Sequence, residues 1–311
     1  PHISESEARK VFSDLIAQRC CYDKSVIKDM VLQKMTSSNV YHYTLETYIE
    51  TRMTSWEQEP YSGQYVDSPA NGMPPSPWEI HCHPNQMFHD EIHLMEVPHT
   101  ATIVTCTACG CQGCVRCFNC LGRGFKRCIS CHGSGNVMKL TDSRGPRHMD
   151  SCWRCRGTGR KRCPSCGGDG RVACKTCLGF KYLKCFINIR IEYSNNSVEH
   201  MINRSQLLNE ALKEVKGYQV FQQTQPRVWP IVNHPEEEIC CMSDALLSEH
   251  IKTFNSYARI IMQRQKLKMI PVTECTYAWK QESIKFWIYG KDNQLHAPNF
   301  PQKYCCGCVV V

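Results

Sequence analysis

The chain has 311 residues, 42% of them hydrophobic, with 37 basic and 29 acidic side chains and 24 cysteines. That length accommodates one large domain or two ordinary ones, each with an apolar core. No run of 18 apolar residues occurs, so no membrane-spanning helix is expected, and the first twenty residues, with Glu5, Glu7, Arg9, Lys10 and Asp14, lack the apolar centre of a signal peptide.

Residues 4–35 are predicted to form two helices. Ser4 and Glu7 make a capping-box pattern, and Ala8, Val11, Phe12, Leu15 and Ile16 fall on one face. Val26, Ile27, Met30, Val31 and Met35 suggest the second. The stretch YHYTLETYIETR, residues 41–52, puts Tyr41, Tyr43, Leu45, Thr47 and Ile49 on one face of a strand. Residues 60–85 carry the breakers of a loop. Residues 91–105 are predicted to be strand interrupted at Pro98. After the cysteines, Ile187, Ile189, Ile191 and Tyr193 alternate with polar residues in a further strand. One strand therefore enters the cysteine region and one leaves it, and an antiparallel pair is the simplest arrangement. Helices are predicted over 205–216 and 243–266, the latter using Leu246, Leu247, Ile251, Phe254, Ala258, Ile261 and Met262. A hairpin over 272–290 turns near Gln281 and Glu282.

Fifteen cysteines lie between Cys106 and Cys185, six pairs of them as C-x-x-C: 106/109, 117/120, 128/131, 152/155, 163/166 and 174/177. Cysteines that close rarely bridge a fold as disulfides, but they clasp one tetrahedral metal well. The chemistry, with no signal peptide, points to reduced thiolates and hence to a reducing compartment. The first cysteines are spaced 11, 11, 24, 11 and 11 residues apart, a mirror-symmetric array. Each knuckle offers two ligands, so each zinc needs two knuckles. The symmetry suggests nesting: Cys128 and Cys131 with Cys152 and Cys155, Cys117 and Cys120 with Cys163 and Cys166, Cys106 and Cys109 with Cys174 and Cys177. The expected cofactor is Zn2+, two ions at the four central pairs and a third if the outer pairs bind as well.

The four central pairs have Gly two and four places after the second cysteine. Such glycines permit positive φ and let N–H groups approach the sulfurs. The outer pairs depart from this pattern: Cys111 takes the place of one glycine and Lys181 of another, and Cys111 and Cys114 compete for that site. The role of Cys185, on the same 11-residue beat, stays open. Residues 106–185 hold 16 basic and 3 acidic side chains, a formal +13, while the remainder carries −5. Twelve thiolates and three zinc ions would leave +7. Only 17 of these 80 residues are apolar besides Cys and Gly, so metal must stand in for a core.

The repeats resemble the cysteine-rich zinc domain of DnaJ-type co-chaperones, in which the first repeat pairs with the fourth and the second with the third. The match covers residues 117–170. A DnaJ co-chaperone also uses a His-Pro-Asp turn, whereas here His83-Pro84 precedes Asn85 and His234-Pro235 precedes Glu236. The resemblance thus implies the zinc module and binding of a partner or unfolded protein, without stimulation of a chaperone ATPase. More narrowly, TLETYIETRMTSWEQEPY (44–61), PPSPWEI (74–80) and FWIYGKDNQLHAP (286–298) resemble the Ssu-two-homologue family, in which a DnaJ-like zinc module sits within characteristic flanks. That resemblance covers nearly the whole chain. It implies a cytoplasmic or nuclear protein linked in vertebrates to tooth development, and it supplies no catalytic residues.

Paired C-x-x-C knuckles fill all four zinc positions, so a structural metal is expected and an enzyme is not; no catalytic residues and no small-molecule substrate are assigned. The expected fold class is α+β: a β-rich scaffold with helices and an inserted, zinc-pinned β-hairpin of DnaJ cysteine-rich type. Residues 1–40 are read as N-terminal helices, 41–105 and 186–298 as a discontinuous scaffold, 106–185 as the zinc module and 299–311 as a cysteine-rich tail. The expected function is a protein-binding or chaperone-like adaptor. The alternative is a nucleic-acid-binding regulator using Arg154, Arg156, Arg160, Lys161 and Arg162 beside Trp153. The final Cys308-Val309-Val310-Val311 has prenylation form, and Cys305 and Cys306 are palmitoylation candidates; membrane contact would follow only from lipidation there.

Overall fold

The computed structural model describes residues 3–18, 25–140, 147–280 and 282–298. The lipidation candidates Cys305, Cys306 and Cys308 lie outside the described residues. Contacts divide the chain into two compact units, residues 1–51, 83–92 and 192–311 in the first and 52–82 and 93–191 in the second. The fold is β-rich with few helices. In chain order the elements of the first half are α1 (Glu5–Gln18), α2 (Ser25–Asp29), β1 (Val31–Pro60), β2 (Glu91–Glu96) and β3 (Thr102–Thr105). The cysteine region supplies β4 (Cys114–Arg116), β5 (Phe125–Arg127), β6 (Asn136–Leu140), β7 (Arg147–Ser151), β8 (Arg160–Arg162) and β9 (Arg171–Ala173). After it come β10 (Tyr182–Ile202), α3 (Asn209–Lys213), β11 (Tyr218–Gln225), α4 (Glu237–Phe254), β12 (Arg259–Trp279), β13 (Glu282–Tyr289) and β14 (Gln294–His296).

In the first unit β12 is the spine. One edge pairs antiparallel with β1 from Val31↔Ala278 to Glu50↔Arg259. The other edge is shared, β11 covering its first half and β13 its second. The capping box forms at the start of α1: Ser4 N donates to Glu7 Oε2 at 2.9 Å. The buried face of α1, Ala8, Phe12 and Ile16, packs with Val26 and Met30 on Cys275, Tyr277, Ile284 and Phe286. Phe12 stacks on Phe286 with ring centroids 4.5 Å apart. Tyr43 and Leu45 of β1, on the face expected, pack with Ile239 and Leu247 of α4.

Three helix boundaries differ from those expected. The second helix stops at Asp29, and Val31–Met35 open β1 instead. Leu32 pairs with Tyr277 and Met35 with Cys275, so strand pairing across the chain overrides a local pattern compatible with helix. The helix over 205–216 contracts to Asn209–Lys213. The long helix runs over Glu237–Phe254 rather than 243–266, and Ile261 and Met262 belong to β12. There the buried positions alternate as Gln263, Gln265 and Leu267. Two of the three are polar, which hides the period of two in a stretch of strong helix formers. Their amides are satisfied: Gln265 accepts from Tyr43 Oη at 2.9 Å and donates to Trp229 O at 2.7 Å.

In the second unit β3 and the start of β10 pair antiparallel, Thr105↔Tyr182 to Thr102↔Cys185, so the strands entering and leaving the cysteine region are partners as expected. Lys184 is buried there and bonds Glu96 at 2.5 Å, with Glu59 at 3.5 Å. The hairpin expected over 272–290 is formed by β12 and β13, ending in the pair Trp279↔Glu282; Gln281 lies outside the described residues.

Candidate metal centres

Beyond the β3–β10 pair, three short antiparallel ladders follow one another: β4 with β9, β5 with β8, and β6 with β7. Between and before them the cysteines gather in three groups of four: Cys106, Cys109, Cys174 and Cys177; Cys117, Cys120, Cys163 and Cys166; Cys128, Cys131, Cys152 and Cys155. These are the nested sets that the mirror spacing suggests. All twelve side chains are buried, and in each group the four sulfurs lie within 4.8 Å of one another.

The same backbone turn builds all six knuckles. The residue after the second cysteine is left-handed whatever its type, as at Leu121 (φ 52), His132 (φ 49) and Arg156 (φ 50). At five of the six the residue four places after that cysteine aims its N–H at the sulfur, as from Gly124 to Cys120 at 3.2 Å, Gly135 to Cys131 at 3.3 Å and Gly159 to Cys155 at 3.2 Å. Its carbonyl accepts from the first cysteine of the opposite knuckle. Cys117 N donates to Gly170 O at 2.9 Å, and Cys163 N to Gly124 O at 2.8 Å. A Cβ on Gly124 would sit 2.1 Å from Gly168 O, so this glycine is required by the close approach of the two arms as well as by its φ of +79.

The donor set fits zinc. Across knuckles the nearest sulfurs are 3.7 to 4.0 Å apart. A disulfide needs about 2.05 Å. A tetrahedron with Zn–S bonds of about 2.3 Å has edges of about 3.8 Å. Electrostatics say the same. Burial pushes the Cys106 thiol up to about 12, while the backbone N–H of Cys177 holds Cys174 at about 6 against the opposing effect of burial. One dry group of four cannot ionise fully without a cation at its centre. With four sulfurs around each centre, every corner of the tetrahedron is a protein ligand.

The outer group has the geometry of the inner two. Cys111 (φ 60) and Lys181 (φ 72) adopt the left-handed conformation that glycine holds elsewhere in the repeat. Cys106 N still donates to Lys181 O at 2.9 Å, and Cys174 N to Gly113 O at 2.9 Å. Cys111 and Cys114 are not among the four clustered sulfurs; Cys111 bonds Tyr182, and Cys114 accepts from Arg171 at 3.5 Å. Cys185 packs against this group from outside. Among the described residues no helix is long and apolar enough to cross a membrane. Trp153 is exposed, with Arg154 5.1 Å from its ring centroid, and Arg160–Arg162 form the exposed strand β8. The sequence reading singled out that cluster and missed Arg116, Lys126, Arg127 and Arg171 on the ladder strands and Arg123 in the turn before β5, whose signal was their place in the short links between successive knuckles.

The site defines a class: a β-rich protein carrying a tetracysteine metal module fitted to zinc. Its relatives align with it over most of its length. The SSUH2 homolog of Danio rerio is 36% identical over 333 aligned positions, which cover 98% of this chain and 82% of that protein. The SSUH2 homolog of Homo sapiens is 33% identical, covering 100% of this chain and 81% of that protein. That of Mus musculus is 31% identical over 85% of this chain and 75% of that protein. No family model matches the chain. The chain belongs to the Ssu-two-homologue family.

Proposed function

We propose that the chain is a non-enzymatic, zinc-binding adaptor that presents a DnaJ-like cysteine-rich hairpin to a partner or unfolded protein. The observation carrying this reading is the closure of the three cysteine groups: four buried sulfurs surround each centre, leaving no open corner for substrate. Zinc bound there supplies structural cross-links at three levels of the hairpin. The side chains between the two cysteines of each knuckle are then held outward for recognition, among them Phe118, Ile129 and Trp153 at 89, 84 and 73% exposure. Membership of the family brings a reducing compartment and a link to tooth development into the proposal. The test is aggregation of an unfolding model client, followed by light scattering. The zinc-loaded chain is expected to suppress it and the chelated chain to lose that effect. No suppression together with no protein partner recovered would overturn the reading.

A second reading, a nucleic-acid regulator, is favoured by Trp153 with Arg154 over its ring and by the Arg160–Lys161–Arg162 strand. It requires binding to DNA or RNA that falls steeply with salt; no binding at low salt would remove it.

A further inference from the structure

Two recesses open on the cysteine module at successive ladders. One, about 660 Å³, lies at β4–β9 and is lined by Arg116, Arg123 and Arg171, with Leu121 and a single acid, Asp169. The other, about 550 Å³, lies at β5–β8 and is lined by Arg123, Lys126, Arg127 and Arg160, with Phe125 and no acid. Arg123 borders both, so six cations and one carboxylate line two adjoining recesses, together the basic groove.

Two pairs of these cations oppose each other directly across the ladders, Arg116↔Arg171 and Arg127↔Arg160, and Lys126 opposes a further cation, Lys161, outside the lining. Like charges directly opposite on paired strands destabilise the pairing. No carboxylate relieves them: among the described residues none of the six groove cations forms an ion pair. Arg116 and Arg127 are nonetheless held in place, each donating its Nε to a carbonyl of the adjoining knuckle, Leu121 O and His132 O. Their terminal amino groups remain for a ligand. Fixed guanidinium groups with no carboxylate partner are suited to bidentate binding of carboxylate or phosphate.

The apolar lining separates those two. Leu121 is half-exposed and Phe125 is partly exposed, with Arg160 4.5 Å from its ring. Elsewhere on the module Ile129, Met138 and Met149 are also exposed. Leu121, Ile129, Met138 and Met149 offer no stacking face to a base, and they and the Phe125 ring pack well against Leu, Ile or Phe of another polypeptide.

We propose that this groove docks an acidic segment of a partner polypeptide in which Asp and Glu alternate with apolar residues. Its carboxylates pair with Arg116, Arg123, Arg127 and Arg160, and its apolar side chains cover Leu121 and Phe125. The inference rests on the protein-interaction reading and names the chemistry of the partner.

The experiment uses the full zinc-loaded chain and fluorescence anisotropy with three labelled probes. These are a peptide alternating Asp and Glu with Leu and Phe, the same peptide with Ser for every acid, and single-stranded oligothymidylate. The acidic peptide is expected to bind, to weaken as salt rises, and to lose about tenfold or more in affinity with Arg123→Glu. Zinc content of that variant should equal that of the parent; if it does not, competition of the parent's peptide complex by free polyglutamate replaces it, and is expected to displace the probe. Equal binding of the acid-free peptide, or tighter binding of oligothymidylate, would overturn the proposal. A chain that suppresses client aggregation yet ignores the acidic peptide would refute the groove assignment and leave the adaptor reading standing.

Discussion

In the first unit Phe12, Tyr43, Tyr48, Tyr277 and Phe286 are fully buried, and helices α1 and α4 close over the sheet on an apolar face. Between Cys106 and Cys177, among the described residues, every buried side chain is a cysteine. The first region excludes water with large apolar side chains and depends on the hydrophobic effect. The second has no such core, and its ladders of three to five residues are too short to persist alone. What it gains is freedom. With cohesion assigned to sulfur and the metal the sites fit, most positions outside the cysteines face solvent, Val115, Val137 and Val172 packing partly on the sulfurs, and they carry cations and exposed apolar groups that an ordinary core would have claimed.

The comparison breaks most sharply at a cysteine. Cys152→Ser removes one corner of the innermost group and is expected to release one zinc per chain, with a loss on the order of 10 kcal/mol of local folding free energy. Hydrogen exchange should show β6 and β7 unprotected while α4 and β12 keep their protection. The converse is Phe12→Ala. It empties a packed site in the first unit and is expected to cost about 3–5 kcal/mol, read as a fall in the urea midpoint, with zinc content unchanged.

Acid separates the regions by a different route. Hydrogen bonds from the Arg264 guanidinium hold the Glu46 carboxyl at about 2, below the ordinary carboxylate range, against the cost of burial. A depressed pKa adds stability above its unfolded value and loses it as pH falls toward the folded value. Urea midpoints of zinc-free protein should therefore decline as pH drops from about 4.5 toward 2, and Glu46→Gln should flatten that limb. The smallest effect is expected at Lys181, which holds φ 72 where the inner repeats use glycine. Lys181→Gly relieves a left-handed side-chain conformation. It should strengthen the outer centre by about 1 kcal/mol, seen as slower zinc transfer to a chelator.

The cysteine module was legible in the sequence because coordination fixes spacing. Four thiolates must converge, the turn that brings two of them takes four residues, and the eleven-residue beat carries the chain to the next level. Tertiary context had little to override. The scaffold was legible where pattern and packing agree, as in the capping box at Ser4, the buried face of α1 and the entry and exit strands. It was misread where long strands are defined by distant partners. Val31–Met35 and Ile261–Met262 look helical locally and are strand because β1 and β12 pair over some twenty residues. Buried Gln263 and Gln265 carry no apolar signal, and only the amide network with Tyr43, Thr47 and Trp229 explains their place. The basic groove was half seen, since charge counts revealed the excess of cations but not that the ladders set them opposite one another.

The central claim is that three closed zinc centres take the place of a core in the cysteine module. Native mass spectrometry of the full chain tests it directly. Three zinc ions per chain are predicted, falling to two when Cys106 and Cys174 are both replaced by Ser. Two or fewer ions in the parent chain, with the double replacement changing nothing, would contradict it.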